Sequence, residues 1–351
     1  MFIRKINLHN YRNHKSKEFE FFPGINVITG ENAIGKTNVV EAIHYLSLAR
    51  SFRGVEDSEL IRNDEDYAEI HSIVLEGQIK RNIHILITKK GRSVVVNGKK
   101  VSKLSDLSKI VNVLLFEPKD VMLFRGLPKE RRNFLDVNLS KKYPFYLDYI
   151  SQYNKALANR NEILKANNID EKLLQSSTEL LVKYAGPIVE YRTNYIKDIS
   201  DILIKITHAL TGAKNNIEII YKPFVSVLPD FKKNALEAFN RSLDSDLKQK
   251  ATTIGIHRED FSVRLNEQEI DVYGSQGENR LVALALKMAP YFLIEDKDKR
   301  PIIVLDDVMS ELDKKHRERL IKFLKKLDQV FITATELNID GATQIKLTKN
   351  M

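Results

Sequence analysis

The chain has 351 residues, 43% of them hydrophobic, which is enough for two domains with sizeable cores. It has no cysteine, so disulfides and zinc–thiolate sites are excluded. The formal net charge of +9 favours a polyanionic partner, with nucleic acid first, although a lysine-rich proteome also produces such a charge. Residues 1–12 lack the apolar core of a signal peptide, and the longest apolar run, 284–294, is shorter than the about 20 residues that span a bilayer. We therefore expect a soluble, cytoplasmic protein with no membrane partner.

The N-terminal segment is rich in predicted strands. Residues 2–8 alternate with a period of two, and residues 25–29 form a short apolar run that is typical of a buried strand. Residues 38–48 have apolar positions at helical spacing. The segment between this strand and this helix, residues 30–37, fits the pattern G-x-x-x-x-G-K-[ST]. Strand, loop and helix together predict a phosphate-binding P-loop.

The residue types of this loop match the chemistry of phosphate binding. Glycines at both ends, Gly30 and Gly35, allow the backbone to turn its N–H groups toward a phosphate. The following helix directs its positive end at the same place. Lys36 supplies a charge for the outer phosphates, and the hydroxyl of Thr37 is suited to Mg²⁺. The predicted nucleotide-binding residues are Gly30, Glu31, Asn32, Ala33, Ile34, Gly35, Lys36, Thr37 and Asn38.

The middle of the chain changes from strands to helices. Strands are predicted at 70–75, 79–88, 92–96 and 111–116, with a hairpin turn at Asn97-Gly98. Helices are predicted from about Pro128, where an apolar and aromatic stripe between residues 180 and 206 indicates a packing face. Gly186-Pro187 is a possible kink in this helix. The stripe is too short and too interrupted for a long coiled coil.

A helix beginning near Gln276 has two compatible interpretations. Ser275 is a natural N-cap with Glu278 three residues later, which is the pattern of a capping box. A serine-capped helix start followed by Gly277 is also suited to binding an anion. The two interpretations do not exclude each other.

A second part of the P-loop site is predicted near the C-terminus. Residues 301–307 are a continuous apolar run that ends in two carboxylates, as expected for a strand buried on both faces. Asp306 is placed as a Walker B carboxylate for Mg²⁺, and Asp307 can orient or deprotonate the attacking water. The alternative interpretation is that Asp306 and Asp307 belong to the first turn of a helix and have only a capping role. A basic helix at 314–327 and a buried strand at 329–333 complete the segment.

These motifs together resemble the ABC-type ATPase heads of SMC-like proteins, and in closer detail the RecF family of recombination mediators. The segments that carry the resemblance are residues 8–13, 30–37, 51–53, 116–118, 131–136, 255–260, 275–277 and 305–313. The resemblance extends from residue 1 to about 335. It implies an α/β fold, a P-loop ABC-type ATPase head with mixed sheets, interrupted by a mainly helical second domain. The expected head is 1–120 plus 250–351, and the expected helical insertion, or lever-arm domain, is 121–249.

The resemblance also implies a mechanism and partners. In such heads Ser275, Gln276 and Gly277 of one subunit would complete the ATP site of the other, so that two nucleotides are enclosed in an ATP-dependent homodimer. Hydrolysis at Asp307 would release the dimer. The implied cofactors are ATP and Mg. The implied partners are double-stranded DNA, gapped DNA, RecO and RecR, with which the protein would load recombinase. The implied activity is weak ATP hydrolysis stimulated by DNA, and the implied location is the nucleoid.

Two departures from the family pattern leave alternatives open. Glu278 stands where the family often has Gln; it either weakens ATP binding by its charge or folds back onto Ser275 as a capping box, which we favour. The usual switch histidine is absent, and its region holds Thr333 and Thr335, between which the sequence does not decide. No glutamine equivalent to the usual Q-loop residue stands near Phe116.

Other charged residues have both a structural and a functional interpretation. Arg12 either approaches a phosphate or is a surface arginine, and Arg53 has the same two interpretations. Arg131 and Arg132 either contact the DNA backbone or pack against acids. His257 either forms a structural pair with Asp260 or belongs to a cluster near the site.

Two other function classes compete with an ATP-gated DNA-binding dimer. In a P-loop small-molecule kinase the second carboxylate usually follows the P-loop lysine at a shorter separation than the about 270 residues between Lys36 and Asp306. Such a kinase also needs no Ser-Gln-Gly helix. A short SMC-like chromosome ATPase fits the head, but the insertion lacks the sustained heptads of a long arm.

Overall fold

The structure is a computed structural model that describes residues 1–227 and 229–348. Its strands are β1 (Phe2–Tyr11), β2 (His14–Glu20), β3 (Gly24–Thr29), β4 (Tyr67–Glu76), β5 (Ile79–Thr88), β6 (Gly91–Val96), β7 (Lys99–Lys100), β8 (Val113–Phe116), β9 (Ile217–Lys222), β10 (Asp260–Leu265), β11 (Gln268–Glu269), β12 (Ile302–Leu305), β13 (Gln329–Ala334) and β14 (Thr343–Lys346). Its α-helices are α1 (Lys36–Leu48), α2 (Leu107–Ile110), α3 (Pro128–Lys142), α4 (Tyr146–Lys165), α5 (Glu171–Thr211), α6 (Phe231–Gln249), α7 (Ile270–Tyr273), α8 (Gln276–Phe292) and α9 (Lys314–Leu324). The predicted α/β fold class is confirmed.

The described residues form two compact units. The first comprises Met1–Asp120, Lys205–Lys214 and Arg280–Met351, and the second comprises Val121–Ile204 and Asn215–Asn279. These units differ from the predicted division in two segments, 205–214 and 250–279. The second difference has a clear cause, because β9 lies inside the predicted helical insertion and pairs antiparallel with β10 along its whole length. Residue 228 and residues 349–351, which the predicted domains include, lie outside the described residues.

The first unit contains one antiparallel and one parallel sheet. The antiparallel sheet has the strand order β2-β1-β4-β5-β6-β7, and the parallel sheet has the order β14-β3-β13-β12-β8. The predicted alternation in β1 is present, with Ile3, Ile6 and Leu8 buried. A register shift between Ile3 and Lys5 explains why Ile3 and Ile6 share a face despite their odd spacing.

The parallel sheet determines where the predicted site residues meet. All four residues of β12 are buried, as expected for a strand covered on both faces. Because β3, β12 and β13 are parallel, their carboxyl ends lie along one edge of the sheet. Strand β14 was not predicted; it pairs with β3 and extends the sheet beyond the P-loop strand.

Helix α1 begins at Lys36 and joins the core of the first unit. Its apolar residues Val39, Val40, Ile43 and Leu46 have no exposed surface, and they belong to the same cluster as the inner residues of β1, β4 and β5. The buried face also includes a carboxylate, Glu41. Burial of each large aliphatic side chain stabilises the fold by about 1.5–3 kcal/mol, so this face fixes α1 against the sheets.

The second unit consists of helices around the small sheet β11-β10-β9. The predicted stripe on α5 is a packing face: Ile188, Tyr195 and Ile199 are buried, although Leu180 at its start is exposed. The helix continues through Pro187. In the described part of the chain, no helix is both long and apolar enough to cross a bilayer.

Candidate nucleotide-binding site

The loop between β3 and α1 requires its glycines. Gly30 and Gly35 have φ angles of 154° and 108°, which other residues rarely adopt. A Cβ atom on Gly30 would lie 2.9 Å from the carbonyl oxygen of Leu347, directly after β14. Between the glycines, Ala33 has a φ of 64°, so a third position of this loop is left-handed although it carries a side chain.

An asparagine from the turn between β1 and β2 supports this loop. Asn13 Nδ2 donates to the carbonyl oxygen of Ile34 at 2.8 Å, and Asn13 Oδ1 accepts from Asn38 Nδ2 at 2.8 Å. A Cβ atom on Gly35 would approach the Asn13 side chain to 2.6 Å. The amide can therefore close against the loop only because residue 35 is glycine. The chain of contacts continues to Arg53, whose Nη1 donates to Asn38 Oδ1 at 3.2 Å.

The P-loop lysine spans the loop from the first turn of α1. Lys36 Nζ donates to the carbonyl oxygens of Gly30 and Glu31 at 2.7 and 2.9 Å. The ammonium group therefore lies over the first residues of the loop, beside the N-terminus of the helix. A polyphosphate placed there would meet both the lysine charge and the helix dipole.

Thr37 and Asp306 come together across the edge of the parallel sheet. Thr37 Oγ1 donates to Asp306 Oδ1 at 3.2 Å. Two oxygen ligands that share one Mg²⁺ at right angles lie about 2.9 Å apart, given Mg–O distances of about 2.0–2.1 Å. The residue pair that the sequence predicts for the metal thus fits Mg²⁺ both in donor type and in spacing.

A buried threonine, Thr333, supports both predicted acids. Thr333 Oγ1 donates to Asp306 Oδ1 at 2.6 Å and accepts the backbone N–H of Asp307 at 2.9 Å. Burial raises the pKa of Asp306, while the hydroxyl groups of Thr333 and Thr37 oppose that rise. Thr335 lies elsewhere, with Oγ1 3.4 Å from Asn32 Oδ1.

The backbone of Asp307 is held in an uncommon conformation. Its φ is 51°, in the left-handed region that costs a non-glycine residue energy, and its carbonyl oxygen accepts from Ser310 Oγ at 2.9 Å. The side chain is exposed, whereas Asp306 is only 6% exposed. The two adjacent acids therefore have different environments: one is a buried partner of hydroxyl groups, and the other projects into solvent at the site.

These residues surround one open cavity of about 350 Å³. Its lining consists of Asn32, Ala33, Gly35, Lys36, Thr37, Asn38, Arg53, Asp307 and Thr333. Six of the predicted nucleotide-binding residues and Asp307 are among them. Arg53, whose role the sequence left open, also lines the cavity. Gly30, Glu31 and Ile34 belong to the loop, and Asp306 reaches it through Thr37.

Arg12 is held by a buried carboxylate and is not a free surface arginine. Its Nε and Nη2 donate to the two oxygens of Glu41 at 2.9 and 2.7 Å, and its side chain is only 16% exposed. Glu41 also accepts from Ser51 Oγ at 2.5 Å, and Arg53 Nη1 lies 3.9 Å away. Glu41 was not predicted from the sequence. The signal was an acid in a helix whose neighbouring residues are nearly all apolar, since a buried acid needs a partner.

The serine-tipped start of α8 belongs to the second unit. Ser275, Gln276 and Gly277 are exposed there. The predicted capping box is confirmed: Glu278 accepts from the Ser275 backbone N–H at 2.9 Å, and the Glu278 N–H donates to Ser275 Oγ at 3.2 Å. Asn279, buried just behind, donates to the carbonyl oxygen of Ser275 at 3.0 Å. The first turn of α8 is therefore held by several hydrogen bonds, although its residues Ser275, Gln276 and Gly277 are exposed to solvent.

Arg131 and Arg132 pack against acidic residues of the second unit. Arg131 binds Asp260 with two hydrogen bonds of 2.7 and 2.8 Å, and Arg132 Nη1 donates to the carbonyl oxygen of Glu259 at 2.8 Å. The first pair is only partly exposed. Of the two interpretations left open by the sequence, packing against acids describes Arg131.

Of the two interpretations of His257, the structural pair with Asp260 is not what the structure shows. His257 Nδ1 lies 2.9 Å from the Tyr153 hydroxyl group, and its Nε2 lies 3.1 Å from the carbonyl oxygen of Thr252. Asp260 is already occupied by Arg131. Burial lowers the pKa of His257, which fits a neutral ring that accepts at one nitrogen and donates at the other.

The fold and this site define a P-loop ATPase of the ABC type. The glycine loop leads from β3 into α1, and two acids follow a neighbouring parallel strand. Asp313 caps α9 by accepting the His316 N–H at 3.0 Å, and Arg280 pairs with Glu311, two residues before Asp313. The residues of the 305–313 segment thus have specific structural roles.

The chain belongs to the RecF/RecN/SMC N-terminal domain family, whose model matches residues 2–346. It is 36% identical to the DNA replication and repair protein RecF of Bacillus cereus strain B4264, and it is equally similar to the RecF of Bacillus thuringiensis strain Al Hakam. In both comparisons the match covers 97% of this chain and 93% of the relative. The predicted RecF-like, SMC-like relationship is confirmed.

Solved structures give the same result. The recombination mediator protein RecF of the RecFOR pathway, in its ATP and ATPrS structures, matches with a TM-score of 0.87 and 33% identity, over 99% of this chain and 95–96% of the other. The Smc head domain of Pyrococcus furiosus matches with a TM-score of 0.57 and 18% identity, over 95% of this chain and 90% of the other. The second likeness concerns the fold alone. Family membership removes the small-molecule kinase alternative.

Proposed function

We propose that this protein is an ATP-dependent DNA-binding protein of recombinational repair and replication restart. In this proposal it dimerises on ATP, binds duplex DNA near single-strand gaps, and helps RecO and RecR to load recombinase. The observation that carries the proposal is the convergence of Lys36, Thr37, Asp306 and Thr333 at one edge of the parallel sheet. The full-length similarity to RecF proteins supports it over a short SMC-like chromosome ATPase.

The residues of the first unit would bind the polyphosphate of ATP. The backbone N–H groups between Glu31 and Lys36 would surround the phosphates, as the left-handed turns at Gly35 and Ala33 allow. Lys36 would exchange its two carbonyl acceptors for phosphate oxygens. Thr37 and Asp306 would hold Mg²⁺, which supplies charge neutralisation for the outer phosphates when bound. Asn38 and Arg12 remain proposed contacts of the nucleotide. Arg12 would act there while it is hydrogen-bonded to Glu41.

Asp307 is the proposed catalytic residue. Its side chain is exposed at the cavity, while hydrogen bonds from Ser310 and to Thr333 fix its backbone. A carboxylate held in this way can orient a water molecule and accept its proton. As the family resemblance implies, we expect this hydrolysis to be slow and to act as a switch.

A second copy of the chain would complete the site. Ser275, Gln276 and Gly277 are exposed at a helix N-terminus, and among the described residues a Cβ atom on Gly277 would meet nothing within 4 Å beyond its chain neighbours and its own helix backbone. Backbone N–H groups at such a tip bind anions. In the capping box the Glu278 carboxylate accepts hydrogen bonds from Ser275. This favours the interpretation in which Glu278 folds back onto Ser275 over the one in which its charge weakens ATP binding. ATP would thus bridge two copies, and hydrolysis would remove the bridge.

DNA binding is the remaining part of the proposal. It rests on the family and on the net charge of +9, which favours a polyanion. Contacts to phosphates release counterions, so binding should weaken steeply as salt rises. A cytoplasmic, nucleoid-associated location follows from binding to chromosomal DNA.

A DNA titration with ATP, with ADP and without nucleotide tests the proposed function. We expect tight, salt-sensitive binding to duplex and gapped DNA only with ATP, and weak stimulation of hydrolysis by the duplex. Lys36→Ala should lose ATP binding in calorimetry and with it the ATP-dependent DNA affinity. Lys103→Ala, an exposed lysine outside the cavity, is the matched control. Equal DNA affinity in all three nucleotide states would contradict the proposal.

A further inference from the structure

Two histidines and a glutamate meet on the solvent face of the antiparallel sheet. Glu69 and His71 are two residues apart on β4, so their side chains point to the same face. His84 on β5 is the direct register partner of His71. Each of these side chains is partly exposed, with exposed fractions of 26%, 49% and 37% respectively. None of them lines the nucleotide cavity.

The donor atoms of the three side chains converge. The two imidazole rings stack with centroids 4.0 Å apart and planes 11° apart. Both rings direct Nε2 at the same carboxylate: the distance to Glu69 is 3.1 Å from His84 and 3.9 Å from His71. One ligand atom from each of the three residues lies within 4.8 Å of the others. A tetrahedral zinc ion with ligands at about 2.0–2.1 Å separates them by about 3.3 Å, so small side-chain rotations would suffice.

From this geometry we propose that Glu69, His71 and His84 form a binding site for a zinc-class divalent transition metal ion. Imidazole nitrogens with one carboxylate suit Zn²⁺ and its neighbours, whereas Mg²⁺ and Ca²⁺ prefer oxygen ligands throughout. The rigid pairing of β4 with β5 presents the ligands without a large rearrangement. Bound metal would link two adjacent strands of the sheet.

The site has three protein ligands and therefore an open fourth position. A cavity of about 300 Å³ adjoins it, lined by both histidines together with Lys5, Asn7 and Asn82. The fourth ligand would be water or a small anion; the Lys5 ammonium, which lines the same cavity, already pairs with Glu18. Three protein ligands with one open position is the arrangement of exchangeable zinc sites, whereas closed structural sites use four.

Calorimetric titration of the full chain with ZnCl₂, without nucleotide, tests this proposal. We expect saturable binding that His71→Gln and His84→Gln each weaken at least about tenfold. His316→Gln is the matched control, because this partly exposed histidine also pairs with an acid, Asp313, but is not part of the three-residue cluster. Unchanged zinc affinity in both site variants, or no saturable binding by the parent chain, would overturn the proposal.

Two further measurements keep the test independent of folding and of the ATP site. ATP binding of each variant should equal that of the parent chain, since the changed side chains lie on the solvent face. Co²⁺ in place of Zn²⁺ should give the intense visible absorption of a four-coordinate site, and Glu69→Gln should reduce it. A spectrum of hexaaqua Co²⁺ in the parent chain would contradict the proposed coordination.

Discussion

Thr333 connects Asp306, the buried acid proposed to hold the metal, to Asp307, the proposed catalytic acid, so its hydroxyl group can be tested alone. Thr333→Val keeps the shape of the side chain and removes two hydrogen bonds, one to Asp306 at 2.6 Å and one from the Asp307 N–H at 2.9 Å. Thr333 is 1% exposed, so water cannot easily replace them. A hydrogen bond to a charged group contributes about 1.5–3 kcal/mol, and a buried N–H left unpaired costs about 1–3 kcal/mol.

We therefore expect Thr333→Val to destabilise the first unit by about 2–4 kcal/mol and to slow ATP hydrolysis at least about tenfold, because Asp307 loses the contact that fixes its backbone. Thr333→Ser keeps the hydroxyl group and is the matched control. The chain has no tryptophan, so urea unfolding should be followed by circular dichroism. If the valine and serine variants have the same stability and the same rate, the hydroxyl group does not have this role.

Three further predictions concern the loop, the buried ion pair and acid stability. Gly35→Ala should abolish ATP binding in calorimetry because its Cβ atom would meet Asn13, and full binding would show that the loop tolerates the contact. Glu41→Gln leaves Arg12 without its charged partner and should lower stability by about 2–4 kcal/mol in urea unfolding; a change under about 0.5 kcal/mol would contradict this. Burial lowers the pKa of His257, so its stabilising effect is complete above the unfolded pKa of about 6.5 and is lost as pH falls below that value. The urea midpoint of the parent chain should therefore fall on acidification more steeply than that of His257→Gln, and parallel pH profiles would refute the assignment.

Local patterns were sufficient for the parts of the site that lie on continuous segments. The glycine loop, the strand ending at Asp306 and the capping box at Ser275 each depend on residues within a few positions of one another. For that reason spacing alone predicted their type and nearly their bounds. The helix after the P-loop begins at Lys36, two residues earlier than expected.

Contacts between distant segments were not accessible in the same way. The pairing of Arg12 with Glu41 and the support of Ile34 by Asn13 depend on how β1 folds over α1. Strand β9 was missed because it lies between helices and forms its ladder only with β10. The stacking of His71 on His84 likewise depends on register between strands, which no local pattern specifies.

Subunit mixing tests the central claim, a nucleotide shared between the P-loop of one copy and the serine tip of another, most directly. Lys36→Ala inactivates the loop but keeps the tip, and Ser275→Arg blocks the tip but keeps the loop. Each variant alone should have almost no DNA-stimulated ATPase activity. In an equal mixture only a mixed pair can enclose a nucleotide, and it contains one complete site, so up to about half of the parent rate should return. No recovery in the mixture, or normal hydrolysis by Ser275→Arg alone, would contradict the shared site.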